Sequence, residues 1–244
     1  MNLEKKMNNK TAWKPKMGLA IWNYQLDFSK ASRSQYLEPH QRAIALTDIV
    51  FNLCNILDNF AKPQKAAIST ISLGEDSFVF YLNSPKSMPK FLRKLEQTPD
   101  VNNIEIDLTL ECLEFAEGNH ITKKLEIPLG AYISISVELD DEGNLDLSSE
   151  EPVSLNFCLN VDIYAPIKLI REDYNDELAK LNGHKLTNFL RRIEADLPVE
   201  FVWVDAPDYE EFVGRYGFNP ILNQESKTDR DRASKLPKQT MFSS

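Results

Sequence analysis

The stretch Ile104-Glu105-Ile106-Asp107-Leu108-Thr109-Leu110-Glu111-Cys112 alternates apolar and polar residues without a break. Successive side chains on a strand point to opposite faces, so the pattern predicts a strand with one apolar and one polar side. Two later stretches repeat it. Ile133, Ile135, Val137 and Leu139 alternate with Ser134, Ser136 and Glu138. Over 153–163 the apolar residues alternate with Ser154, Asn156, Cys158, Asn160 and Asp162. Strict alternation belongs to antiparallel sheet that is wet on one side. The apolar sides need a covering layer, and the flanking sequence supplies helices for it. The expected fold class is α+β: a predominantly antiparallel sheet with one face covered by helices.

Working outward, Ala20, Trp22, Tyr24, Leu26 and Phe28 form another alternating strand. Pro39 suits the first turn of a helix, and Leu46, Ile49, Val50, Leu53, Ile56, Leu57 and Phe60 recur at helical spacing. This predicts a helix over 39–61 that stops near Pro63. Short strands are expected over 67–73 and 78–82, joined through Gly74-Glu75-Asp76, and a helix over 87–97 with Phe91, Leu92 and Leu95 inward. Asp141-Glu142-Gly143-Asn144 reads as a turn between Leu139 and Leu145. Beyond the third long strand, helices are expected over 172–181 and 185–195, separated at Asn182-Gly183 as a C-cap. A strand over 201–204 and a short helix over 209–215, closed by Gly217, complete the body. Phe91-Leu92-Arg93-Lys94-Leu95-Glu96 resembles Phe189-Leu190-Arg191-Arg192-Ile193-Glu194. Each is followed by a proline and a valine-started segment, the pattern of a duplicated helix–strand unit near 87–106 and 185–204.

The 244 residues are 42% apolar and 27% charged, enough to bury one substantial core. We expect a single domain over 17–222, a flexible basic N-terminus over 1–16 and a disordered polar tail over 223–244. Net charge is −9, unevenly placed: residues 1–16 carry +4, residues 223–244 carry +2, and the body carries −15. An acidic body repels phosphate backbones, so nucleic acid is not an expected partner of the body, and only the basic termini could touch it. No apolar run is long enough to cross a bilayer and no secretory signal is visible, so no membrane association is expected. Cys54, Cys112 and Cys158 are odd in number and far apart, which predicts thiols in a reducing cytoplasm and not a disulfide framework.

The eight glycines form neither GxGxxG nor GxxxxGK[ST], and GxSxG and HExxH are also missing. His40, His120 and His184 lack neighbours at ligand spacing. Cys158 falls on a polar strand face with Asn156 and Asn160, without a base to activate it. Glu105 and Asp107 share a strand face and form a pair of the kind that holds Mg²⁺; an acidic, solvated strand is the expectation. Asp140, Glu142, Asn144 and Asp146 lack the glycine and closing glutamate of a Ca²⁺ loop and read as a hairpin tip. The expectation is therefore no catalytic residue, no metal and no cofactor.

Over 181–218, Leu190-Arg191-Arg192-Ile193-Glu194, Phe201-Val202-Trp203-Val204-Asp205 and Arg215-Tyr216-Gly217-Phe218 resemble the last third of a GNAT-type acetyltransferase: its cofactor-supporting helix, the next strand and the closing helix with its turn. The resemblance implies acyl-CoA binding and a role for Tyr216. Where that family has a glycine-rich turn for the pyrophosphate, residues 181–186 hold one glycine and no arginine.

These readings combine into a non-catalytic acidic binding or adaptor protein, such as an immunity-like inhibitor or an accessory subunit of a larger bacterial assembly. Its expected partner is a basic protein. Its expected binding surface is the polar sheet face bearing Glu105, Asp107, Glu111, Glu138, Asn156, Asn160 and Asp162. The alternatives are a GNAT-like acyltransferase with a degenerate cofactor loop and a carboxylate-bound metal-dependent enzyme.

Overall fold

The computed structural model describes residues 18–28, 38–74, 76–116, 122–168, 173–174 and 176–219. The basic N-terminus 1–16 and the polar tail 223–244 lie outside the described residues. Three helices are described: α1 (Pro39–Ile56), α2 (Ser87–Glu96) and α3 (Asp176–Asp196). Seven strands form one sheet: β1 (Ala20–Leu26), β2 (Ala61–Thr70), β3 (Ser77–Tyr81), β4 (Val101–Phe115), β5 (Thr122–Val137), β6 (Val153–Leu159) and β9 (Val199–Asp205). Two-residue hairpins are made by β7 (Ile167–Lys168) with β8 (Asp173–Tyr174), and by β10 (Val213–Gly214) with β11 (Gly217–Phe218). The main sheet runs β3-β2-β4-β5-β6-β1-β9, and every neighbouring pair in it is antiparallel. The fold is α+β with an antiparallel sheet.

The strict alternation in β4, β5 and β6 sends Ile104, Ile106, Leu108, Ile133, Ile135, Leu155 and Phe157 to the same side, all buried. All three helices pack there, through Leu46, Ile49 and Leu53 of α1, Phe91 and Leu95 of α2, and Leu186, Phe189 and Ile193 of α3. Phe189 stacks on Phe60 at 4.3 Å, and Phe157 meets Phe189 edge-on at 5.0 Å. Trp22 joins at 5.7 Å from Phe157, with its indole N–H donating to the Gly214 carbonyl.

Several boundaries differ from the sequence reading, each for a physical reason. Helix α1 ends at Ile56, and Pro63 lies inside β2, opposite Leu108, where a bulge at Gln64 shifts the register. A bulge is where a strand tolerates a missing amide donor. Helix α3 runs unbroken through Asn182 and Gly183. Asn182 is fully buried; its amide donates to the Leu113 and Leu178 carbonyls and its oxygen accepts from the Leu113 amide. Those bonds to β4 outweigh the weak helix propensity of the pair. Strand β6 stops at Leu159, and Asp162–Tyr164 forms a 3-10 turn that puts Ile163 and Tyr164 into the core. In place of the helix expected over 209–215, residues 209–212 form turns that lead into the β10–β11 hairpin, closed by Gly217 at φ 112°. The two helix–strand units occupy unlike places: β4 is paired on both sides, whereas β9 is an edge.

Candidate binding face

Cross-strand partners share a face, so the registers map the side of the sheet opposite the helices. One row reads Lys65, Asp107, Tyr132, Cys158, Ile21 and Asp205. The next reads Ala67, Glu105, Ser134, Asn156, Asn23 and Trp203. Asn103, Ser136, Ser154, Gln25 and Glu200 follow. Among the described residues no helix lies over this face.

The face brings Glu105, Asp107 and Asn156 into adjacent rows. Glu111 shares the side but lies four residues along β4 from Asp107, about 13 Å away at the usual strand rise, and Glu138 follows one residue past the end of β5. The carboxylates therefore form a spaced line instead of a cluster. Lysines that the sequence did not reveal interleave with them: Lys62 bridges Glu111 at 2.6 Å and Glu126 at 2.8 Å, and Lys65 reaches Asp107 at 3.5 Å. Glu111 and Glu126 face each other across β4 and β5, and Lys62 relieves that like-charge pair. Its hydrogen bonds to the two carboxylates raise the Lys62 pKa, and the same contact lowers that of Glu126. Glu200 and Asp205 on β9 add negative charge at the far edge.

Asn160 and Asp162 do not line this face. Asn160 is buried beyond the end of β6; its oxygen accepts from the Gly18 amide and its side-chain amide donates to the Leu129 carbonyl. It clamps the start of β1 to the irregular stretch Pro128-Leu129-Gly130 of β5, where Leu129 has φ 54°. Asp162 opens the 3-10 turn. Asn156 accepts from the Asn23 amide at 3.0 Å.

Cys112 and Cys158 are buried and Cys54 is partly so. Cys158 is only 2% exposed despite its place on the polar side, and bonds the Tyr132 side chain. Burial raises its thiol pKa. Cys112 contacts the Tyr164 hydroxyl at 3.3 Å and burial pushes its pKa up to about 11; burial alone takes Cys54 to about 12. Thiols held protonated are poor nucleophiles and poor ligands. Among the described residues, no three His, Cys, Asp or Glu side chains converge as a metal site. The Asp140 carboxylate accepts from the Glu142 and Asn144 amides, as a hairpin tip requires. His40 and His184 are exposed, and His120 lies outside the described residues.

Tyr216 is engaged structurally: its hydroxyl and the Arg215 guanidinium both donate to the Glu194 carboxylate. Residues 182–183 lie inside α3, so they form no loop of free amides of the kind the acetyltransferase resemblance implies.

At one corner of the open face, β2, β3, β4 and the β5 irregularity enclose a groove of about 970 Å³. Tyr81, Leu82, Pro85, Pro128 and Leu129 give it an apolar lining, with Lys62, Lys65, Asp107 and Glu126 at its sides. Thr109 lines it too; this residue is 4% exposed and its hydroxyl has no hydrogen-bond partner. Sequence reasoning missed the groove because Lys62 and Lys65 reach Asp107 and Thr109 only through the β2–β4 register. Compared with known proteins, the chain matches no family model, no curated protein and no solved structure.

Proposed function

We propose that this chain is a non-catalytic adaptor, working in a reducing cytoplasm, that receives a basic protein on the open face of its sheet. The supporting observation is the face itself. Seven strands wide, it carries Glu105, Asp107, Glu111, Glu126, Glu200 and Asp205 against Lys62, Lys65 and Lys124, with Glu138 just past the end of β5 and no described helix over it. Spaced carboxylates steer and orient a cationic partner more than they bind a single ion. No helix among the described residues is long and apolar enough to cross a membrane.

The test compares the native chain with a Glu105→Gln, Asp107→Asn double variant in capture from host extract, over a range of salt. The expected result is a fold of unchanged stability to within about 1 kcal/mol, because exposed ion pairs contribute that little. Capture of a basic protein should weaken and lose part of its salt dependence. Equal capture with equal salt dependence overturns the proposal. So does a large thermal stabilisation by acetyl-CoA, Mg²⁺, Mn²⁺ or Ca²⁺, since a ligand at 100 times its Kd adds about 2.7 kcal/mol.

A further inference from the structure

The sheet has two edges, and they are treated differently. An edge strand presents unpaired N–H and C=O groups, and proteins usually blunt it with charge, proline or a bulge. Strand β9 has such protection: Glu200 and Asp205 lie on it, and a bulge interrupts its pairing with β1. Strand β3, Ser77-Phe78-Val79-Phe80-Tyr81, has no charge, no proline and a continuous register against β2. Its composition strongly favours extended pairing.

The ladder shows which groups point outward. The Leu82 amide donates to the Gln64 carbonyl, and hydrogen-bonded pairs alternate along an antiparallel ladder. Phe80 and Phe78 therefore bond inward to β2, and Ser77, Val79 and Tyr81 turn their amides and carbonyls away from it. No described strand pairs with that side. The strand is held stiffly from behind: Phe80 lies 5.6 Å from Phe91 of α2, and the Lys94 ammonium sits 3.8 Å over the Phe78 ring. In front, Val79 and Tyr81 are 45% and 68% exposed.

The charge behind β3 selects the occupant. In a protein of net charge −9, α2 carries Lys90, Arg93 and Lys94 against Glu96, with Lys86 just before it. Lys86, Lys90 and Arg93 are exposed. A second copy pairing through β3 would bring two such cationic helices together. We propose that the outer edge of β3 accepts an extended acidic segment of a partner protein, which adds to the sheet as an eighth strand. Main-chain hydrogen bonds to Ser77, Val79 and Tyr81 supply the attachment, and the α2 cations supply the preference for Asp and Glu. This edge adjoins the open face, since Tyr81 lines the groove at its corner, but the attachment uses the outward main-chain groups of β3 and does not depend on that reading.

The test selects a phage-displayed library of random twelve-residue peptides on the full chain. The strongest peptide is then measured as a synthetic, labelled probe. Selected peptides should be enriched in Asp and Glu. Val79→Pro removes an outward amide and leaves the β2 ladder intact; it should weaken probe binding at least tenfold in a chain whose melting temperature is retained. Lys86→Glu with Lys90→Glu should weaken it by a similar factor, and Glu105→Gln with Asp107→Asn, which removes negative charge beside Tyr81, should not weaken it. If the proline variant unfolds, hydrogen exchange on the native chain decides: the Val79 and Tyr81 amides should slow when the probe binds. Failure to select any peptide, selection without acidic enrichment, binding insensitive to a folded Val79→Pro, unslowed exchange, or a Val79-dependent dimer in sedimentation would each overturn the proposal.

Discussion

Replacing Asn160 with alanine removes two hydrogen bonds that tie the entry of β1 to the kink in β5. The Gly18 amide loses its acceptor and the Leu129 carbonyl loses its donor. A polar group stranded in a dry site costs about 1–3 kcal/mol. Both bonds are part-buried, so water recovers some of that, and we expect a net loss of about 2–3 kcal/mol. That is a large share of the roughly 5–15 kcal/mol by which a domain is stable. With a urea slope of about 3 kcal/mol per M, the midpoint falls by about 1 M. Asn160→Asp is the informative companion. It keeps an acceptor for Gly18 but sets a carboxylate against the Leu129 carbonyl, so it should destabilise at least as much as alanine. Leu129→Gly, which removes the penalty for φ 54°, should recover part of the loss in the alanine background. Urea unfolding followed by tryptophan fluorescence measures all of these. A loss below 0.5 kcal/mol for alanine, or wild-type stability for aspartate, would refute the clamp.

Gly130→Ala should cost about 1–3 kcal/mol, as overpacking of a filled core does. The added Cβ would lie 2.7 Å from Leu110 Cδ1 and 3.0 Å from the Ile127 carbonyl. Leu110→Ala should then cost less beside Gly130→Ala than alone, and a double-mutant cycle without coupling would contradict the contact. The thiols give a pH signature. Cys54 and Cys112 keep their protons in the native state to about 12 and about 11, whereas unfolded cysteine loses its proton near 8.5. Their contribution is fully present below about pH 8.5 and is lost as pH rises toward those native values. Urea midpoints should stay level from pH 7 to 8 and fall above 9, less steeply in Cys54→Ala with Cys112→Ala.

The legible parts of the fold are those whose cause is local. Strands β1, β4, β5 and β6 announce themselves by alternation, α1 by helical spacing and a first-turn proline, and α2 by helical spacing. The misread parts are those where a distant group decides. Asn182-Gly183 reads as a helix stop until the Leu113 backbone is seen to satisfy the asparagine. Pro63 reads as a breaker until its bulge is seen. Asn160 and Asp162 continue an alternating pattern, but the chain turns after Leu159 to bury Ile163 and Tyr164. At the face, Glu105 and Asp107 lie on one side of β4 because period two requires it. Their lysine neighbours depend on inter-strand register, which a single strand's pattern does not encode.

The position of β1 between β6 and β9 also has a consequence for synthesis. Strands β2 to β6 are adjacent in space to near neighbours in the chain, and they can close among themselves as they leave the ribosome. Of the described strands β1 emerges first, yet its partners are Val153–Leu159 and Val199–Asp205. At about 5–20 residues per second, roughly 9–35 s pass between the completion of β1 and the arrival of β9. For roughly 7–27 s of that interval, until Val153–Leu159 is complete, Trp22 and Tyr24, wholly buried at the end, have no sheet to join. Of the described strands, the first made waits longest for its partners, and a nascent chain stalled before residue 153 should still offer it to chaperones.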